Sequence, residues 1–149
     1  MKKYLKFLWI LPLFLLFFLP TSPTLQVIDR TTGLVVASYP LNAQGEFSVS
    51  FIHSVNLSPV EDFYRVEKGQ FVAYQTLYYH FGAGVQTDLA DGQSLTVLPD
   101  GGMLIEGLDT VISPLLYNIS PVYDHILIIE QTEYPLSELG VRAIAFVLE

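Results

Sequence analysis

The sequence predicts an all-β domain, an antiparallel β-sandwich or a barrel-like fold, preceded by an N-terminal hydrophobic helix. Short apolar or alternating segments recur along the chain, and turns rich in Gly, Pro, Asp or Asn separate them. The alternation is clearest at residues 46–52, where Phe47, Val49 and Phe51 alternate with polar residues, as in a strand with one buried face. Many short strands between such turns are typical of sandwiches and barrels.

The first segment of the chain has the form of an export signal. Three lysines within the first six positions precede an apolar run at residues 7–19. As a helix this run is roughly 20 Å long, shorter than the ~30 Å hydrocarbon core of a bilayer. No Ala-x-Ala cleavage site precedes Pro23, so an uncleaved membrane anchor and a cleaved signal peptide both stay open. We assign residues 1–24 to this leader and residues 25–149 to one β-domain on the extracytoplasmic side of the bacterial cytoplasmic membrane, either anchored or secreted.

The composition fits an exported domain that folds without cross-links. The sequence contains no cysteine, which excludes disulfides, thiolate metal ligands and a thiol nucleophile. Past the leader, four basic residues stand against fifteen acidic ones, which gives a formal net charge of −11. This balance lacks the basic surface on which nucleic-acid binding depends. We therefore expect no nucleic-acid partner and no cofactor, and a membrane contact only through the N-terminal segment.

The predicted strands follow one another closely along the domain. They are residues 25–29, 34–39, 46–52, 60–67, 70–81, 94–98, 103–106, 123–130 and 141–148. The first two flank Arg30-Thr-Thr-Gly33, which predicts a hairpin. The last is apolar on both faces, which predicts a central position in a sheet. Residues 135–139 are predicted to form one helical turn that ends at Gly140, and the prolines near residues 114–121 predict a loop.

The turn Lys68-Gly69 fixes a register for the two strands that it joins. The predicted pairs are Val66 with Phe71, Tyr64 with Ala73, and Val60 with Leu77. This register points Asp62 and Gln75 inward, which is unfavourable for polar side chains, and a β-bulge would move them.

The most unusual segment of the sequence lies between two predicted strands. A strand ends near His53 and Ser54, a loop crosses Ser58, and a new strand begins near Glu61. A serine, a histidine and a carboxylate are the parts of a nucleophilic site, so one hypothesis is a small hydrolase that uses His53 with Ser54 or Ser58 and Glu61. Neighbouring residues of a strand point to opposite faces, which favours Ser58 as the partner of His53. The alternative is that His53 is a buried structural histidine.

A second segment of interest is rich in glycine. Gly82, Ala83 and Gly84 follow His80, and the two glycines permit a sharp turn whose N–H groups would form an anion site. The alternative is that they only close a strand. The three histidines of the chain lack close metal-ligand spacing, so we predict no metal site.

These segments resemble the pattern of an uncharacterised bacterial domain-of-unknown-function family. The resemblance rests on Arg30-Thr-Thr-Gly33, Phe51-Ile-His-Ser-Val55, Ser58-Pro-Val-Glu61 and Phe81-Gly-Ala-Gly84. Members of this family are small exported or membrane-tethered proteins, often encoded beside tripartite TRAP transporters of the TAXI type. In this chain Asn56-Leu57 replaces the charged pair of the family pattern. The resemblance implies an accessory role in solute uptake and transfers no catalytic residue.

The sequence thus leads to one expected function and two alternatives. We expect a non-enzymatic exported accessory or binding module that contacts a membrane or binding subunit of a TAXI-type TRAP transporter. The alternatives are the small hydrolase and a structural envelope protein with no ligand. In the expected function no residue is catalytic, and the ligand or partner contacts are His53, Ser54, Ser58, Glu61, His80, Gly82, Ala83 and Gly84.

Overall fold

The computed structural model of the protein describes residues 22–80 and 88–149. The predicted N-terminal helix, the apolar run at residues 7–19, lies outside the described residues. The strands are β1 Thr24–Asp29, β2 Val35–Pro40, β3 Phe47–Ile52, β4 Pro59–Glu67, β5 Gln70–Tyr78, β6 Ser94–Val97, β7 Met103–Ile112, β8 Leu115–Asn118, β9 His125–Ile129, β10 Thr132–Pro135 and β11 Ala143–Leu148. A 3-10 turn at Leu136–Leu139 is the helical element within these residues. No helix of residues 22–80 and 88–149 is long and apolar enough to cross a membrane.

The strands form two antiparallel sheets that pack face to face. The smaller sheet has the order β2-β1-β11-β8, and the larger has the order β10-β9-β3-β4-β5-β7-β6. Both sheets keep two edge strands, so the described residues do not form a closed barrel. The prediction of an all-β antiparallel sandwich is confirmed.

The core lies between the sheets because alternate residues of each strand face the opposite sheet. Leu25 and Val27 from β1 and Phe47 and Val49 from β3 are buried in one cluster. The ring of Phe47 lies 5.8 Å from that of Phe146 in the other sheet. Each buried aliphatic or aromatic side chain of this size stabilises the fold by about 1.5–3 kcal/mol relative to exposure. The alternating pattern at residues 46–52 therefore marks the centre of the domain.

Several predicted elements are confirmed and two strands are new. β1 and β2 form the predicted hairpin, and β11 lies between β1 and β8 as a central strand. The helical turn ends at Gly140, which has a φ of 70°. The loop predicted at residues 114–121 is wrong in part, because β8 lies within it and pairs with β11. β10 was not predicted, since the turn at Glu130 and Gln131 carries no glycine or proline.

The register between β4 and β5 corrects the predicted pairing at one end. The first two of the three predicted pairs are confirmed. The third is wrong, because the register shifts at a β-bulge beside Tyr74 and Val60 pairs with Tyr78 rather than with Leu77. Tyr78 is therefore the buried residue at this end of β5.

The bulge also decides which polar side chains face the other sheet. Gln75 turns to the outer face, where its amide donates a 2.9 Å hydrogen bond to Glu106. Thr76 takes its place opposite Asp62, and the Thr76 hydroxyl donates a 2.8 Å hydrogen bond to the carboxylate. Asp62 thus stays on the inner face. Burial raises the pKa of Asp62, the Thr76 hydrogen bond opposes that shift, and the charge of Glu61 adds to it.

A second polar contact joins the two sheets directly. The hydroxyl groups of Tyr64 in β4 and Tyr117 in β8 lie 2.6 Å apart and form a hydrogen bond. Burial is the main cause that raises the pKa of both hydroxyls, so both stay neutral at physiological pH. Because each hydroxyl has the other as its partner, the pair ties β8 to the middle of the larger sheet.

The sandwich has two distinct ends along its strands. The described chain enters β1 at Thr24, and β1 ends at Asp29, which pairs with Ile144. Ile144 pairs in turn with Tyr117, whose ring contacts Phe51 at the end of β3 with 6.2 Å between centroids. The connections that follow β1, β3 and β8 therefore lie at the end opposite Thr24. These connections, residues 30–34, 53–58 and 119–124, are termed the loop end.

The partly buried Asp62 is expected to make stability fall as pH rises through the acidic range. Its pKa is raised above 3.8 in the folded protein, so folding holds the proton more tightly than the unfolded chain does. The resulting contribution to the free energy of unfolding is complete below the pKa of Asp62 in the unfolded chain. It is lost as pH rises through the pKa of Asp62 in the folded protein. Asp62→Asn stays neutral and still accepts from Thr76, so it should raise the free energy of unfolding at neutral pH and flatten this pH dependence.

Denaturant unfolding at several pH values measures both effects. Asp91→Asn, in an exposed turn, is the control of the same chemistry. Two results would contradict a stability cost of the Asp62 charge. One is an equal gain in the free energy of unfolding from Asp91→Asn, and the other is a decrease in Asp62→Asn.

Candidate functional site

The β3–β4 loop contains the segment that the sequence singles out. The N–H of His53 donates to the carbonyl of Ser58 over 2.9 Å, and the N–H of Leu57 donates to the carbonyl of His53 over 2.8 Å. The Nδ1 atom of His53 accepts from the backbone N–H groups of Val55 and Asn56 at 3.3 and 3.4 Å. His53 therefore holds the loop in one conformation through both its backbone and its ring.

The loop exposes its apolar side chains and buries two of its polar groups. Val55 and Leu57 are 66% and 63% exposed, whereas Ser58 is only 2% exposed. The side-chain nitrogen of Asn56 and the hydroxyl of Ser58 are buried and have no hydrogen-bond partner among the described residues. Leu57 also has a φ of 51°, in the left-handed region, which costs a residue with a side chain roughly 1–2 kcal/mol.

A solvated loop is stabilised by the opposite arrangement, in which polar groups are exposed and apolar side chains are buried. A buried polar group that makes no hydrogen bond costs about 1–3 kcal/mol. Unpaired buried groups and strained residues persist where function requires them, which makes the β3–β4 loop a candidate contact site.

His125 lies beside the loop on the inner face of the larger sheet. It pairs with Phe51, and the two rings stack with 5.3 Å between their centroids. His125 is 9% exposed, and its Nδ1 atom has no hydrogen-bond partner in the described part of the chain. Burial lowers the pKa of His125, and the negative charge of Asp124 opposes part of that shift. A neutral imidazole with a free nitrogen is thus a third unpaired polar group at the loop end.

Glu61 is close to His53 in sequence but faces a different surface. It lies opposite Ser50 on the outer face of the larger sheet and accepts a 2.6 Å hydrogen bond from the Ser48 hydroxyl. The carboxylate lines a shallow groove of ≈ 250 Å³. Among the other residues that line this groove are Glu46, Phe63, Tyr74, Ile128 and Glu130. The structure therefore does not bring Glu61 to His53 and Ser58.

The other predicted contact residues are more widely spread. Ser54 is exposed within the turn of the β3–β4 loop, and His80 is exposed two residues after the end of β5. Gly82, Ala83 and Gly84 lie outside the described residues. Of the predicted set, the structure brings His53 and Ser58 together in one hydrogen-bonded loop.

Asn56 and His125 belong to the same end of the sandwich, but the sequence alone does not predict that they are contacts. A single polar residue at the start of an apolar strand was the available signal for His125, since the strand at residues 126–129 is otherwise entirely aliphatic. Asn56 gave no such signal, because loop asparagines are usually solvated.

The loop end offers hydrogen-bonding groups and apolar contact rather than an assembled nucleophile. The Nδ1 atom of His53 is bonded to two backbone N–H groups, and the Ser58 hydroxyl makes no hydrogen bond to His53. A nucleophilic serine needs a base within hydrogen-bond reach. Within residues 22–80 and 88–149, no group of three or more His, Cys, Asp or Glu side chains is arranged to hold a metal ion.

The fold and this site define a small two-sheet β-sandwich with an apolar-tipped loop at one end. The chain belongs to the family described as a domain of unknown function, DUF1850, whose model matches residues 47–136. The match runs from the start of β3 to the start of the 3-10 turn and so includes the β3–β4 loop and His125. No curated protein and no solved structure matches the chain. The predicted membership of a domain-of-unknown-function family is confirmed.

Ser58→Ala separates a structural role of the buried hydroxyl from a binding role. Because this hydroxyl has no partner in the described fold, its removal is expected to leave the free energy of unfolding unchanged or to raise it by up to about 1 kcal/mol. Ser54→Ala, which removes an exposed hydroxyl from the same loop, is the control and should change stability by less than about 0.5 kcal/mol. Denaturant unfolding measures both, and a loss of about 1–3 kcal/mol in Ser58→Ala alone would contradict this view of the loop.

Proposed function

We propose that the protein is a non-enzymatic, extracytoplasmic accessory or binding module that works with a tripartite TRAP transporter of the TAXI type. The observation that carries the proposal is the β3–β4 loop, which holds Val55 and Leu57 in solvent on a hydrogen-bonded frame. An exposed apolar contact that is already ordered loses little conformational entropy when a partner binds. Such a loop suits recognition of another molecule.

The location and the partner in this proposal are supported by the sequence. A basic and apolar leader precedes the domain, which favours export or membrane anchoring. The His-Ser-Val segment that resembles the family pattern lies in the β3–β4 loop, and the Pro-Val-Glu segment follows it at the start of β4. That pattern is the basis for naming a TAXI-type TRAP transporter. Contact with a membrane or binding subunit of that transporter is the expected mode of action.

Binding is favoured over the two alternatives by the state of the loop residues. Hydrolysis through His53 would require its ring to leave the backbone N–H groups and reach a serine hydroxyl, and Glu61 to turn from the outer face. A purely structural envelope protein would gain no stability from the unpaired Asn56 and Ser58 groups. A loop that contacts a partner accounts for both observations.

Co-purification from the native host tests the proposal. The full-length protein carrying a C-terminal affinity tag, expressed at its native level, is expected to enrich a TAXI-type membrane or binding subunit after detergent solubilisation. A matched control joins residues 1–24 to an unrelated exported β-domain with the same tag, and it should enrich neither subunit. Deletion of the gene is expected to reduce uptake by that transporter. Absence of both subunits from the purified sample, together with normal uptake in the deletion strain, would overturn the proposal.

A further inference from the structure

Exposed apolar side chains are concentrated at the loop end. Of the twelve large apolar residues that are exposed in the described part of the chain, five lie on its three connections and a sixth adjoins one of them. They are Leu34, Val35, Val55, Leu57, Val122 and Tyr123, with Val35 at the first position of β2. Single exposed apolar residues are ordinary on a protein surface, but a group drawn from three adjacent connections marks an interaction site.

Hydrogen bonds tie two of these connections to β11 and to Arg142, the residue before it. The N–H of Arg30 donates to the carbonyl of Ala143 over 2.9 Å, and the N–H of Ile119 donates to the carbonyl of Arg142 over 2.8 Å. Within the third connection, the Ser120 hydroxyl accepts hydrogen bonds from the backbone N–H groups of Val122 and Tyr123 at 3.1 and 3.2 Å. The apolar group is therefore displayed by an ordered frame.

The charge at the loop end differs from that of the rest of the domain. Arg30 and Arg142 are two of the four basic residues that follow the leader, and both are exposed beside the connections. Neither has an ion-pair partner among the described residues, whereas Arg65, at the other end of the domain, pairs with Glu67 and Asp109. In a domain with a formal net charge of −11, two unpaired cations next to an apolar group favour a partner surface that carries carboxylates.

The position of the loop end indicates what occupies it. The chain enters the domain at Thr24, and the loop end lies beyond the far end of β1, whose six residues span about 20 Å. A bilayer that holds the leader would meet the entry end of the domain and not the loop end. This geometry favours another extracytoplasmic protein over a lipid surface or the protein's own leader.

We propose that the loop end is a protein-docking surface, which inserts Val55 and Leu57 into an apolar cleft of another extracytoplasmic protein and pairs Arg30 and Arg142 with carboxylates at the rim of that cleft. This inference rests on the proposed function for the identity of the partner, because a TAXI-type TRAP subunit is the first protein to be tested. The surface itself follows from the exposure, charge and position of the described residues.

Matched substitutions at the two ends of the domain test the docking surface. Val55→Asp and Arg30→Glu alter the loop end, and Val111→Asp and Lys68→Glu make the same changes at the entry end, where both residues are exposed. Binding of each variant of the full-length protein to the purified TAXI-type binding subunit and membrane subunit is measured in detergent. We expect the two loop-end variants to weaken binding at least tenfold and the two controls to change it less than twofold.

Added salt should weaken binding of the wild type more than binding of Arg30→Glu, because salt screens the proposed ion pairs. Thermal unfolding checks that all four variants are folded.

A photo-crosslinking residue at position 55, with position 111 as control, separates this inference from the proposed function. If the wild type binds a TRAP subunit and the loop-end variants bind it equally well, the docking surface is overturned and the proposed function stands. A cross-link from position 55 to a different extracytoplasmic protein, whose binding after purification shows the same variant pattern, supports the surface and overturns the transporter partner. Cross-links only to lipid or to a second copy of the chain, or no cross-link above that at position 111, overturn the docking surface.

Discussion

The pairing of β3 with β4 on one side and β9 on the other is the constraint on which the rest of the structure depends. It turns Phe47 and Val49 into the core and fixes where the β3–β4 loop leaves the larger sheet. The same pairing places His125 against Phe51 at that end. The loop therefore starts from a strand that is paired on both sides, which holds one end of a short connection that contains an αL leucine.

Polar groups inside the sandwich give the fold specific contacts at some loss of stability. The Tyr64–Tyr117 hydrogen bond satisfies two buried hydroxyls across the sheets, whereas Asp62 has only the Thr76 hydroxyl to offset its burial. Toward the loop end, three buried side-chain atoms, on Asn56, Ser58 and His125, have no hydrogen-bond partner among the described residues. The interior is therefore best satisfied at its centre and least satisfied next to the surface that we assign to binding.

Sequence periodicity was sufficient for the fold class but not for the details of pairing. The alternation at residues 46–52 and the turn Arg30-Thr-Thr-Gly33 depend on local sequence, so β3 and the first hairpin were predictable. β8 is a four-residue edge strand whose pairing with β11 depends on a distant segment. Asp62 and Gln75 predict a bulge between β4 and β5, but its position at Tyr74 is visible only in the structure.

The candidate site was likewise only partly predictable from the sequence. His53 and Ser58 stand out in the sequence because a histidine and a serine flank a loop between apolar strands, and the structure does join them. Proximity along the chain groups Glu61 with them, but strand alternation turns it to the outer face. The burial of Asn56 and His125 depends on tertiary packing, so their importance is visible only in three dimensions.

The central claim is that the β3–β4 loop is an ordered element that displays its apolar tip, and amide hydrogen exchange tests it most directly. The N–H groups of Val55, Asn56 and Leu57 are all bonded to His53, so their exchange should be slowed well below the rate of an unstructured peptide. His53→Ala should restore fast exchange at Val55 and Asn56 while the N–H of Val49 in β3 stays protected. Exchange of all three loop amides at the unstructured rate in the wild-type protein would contradict the account.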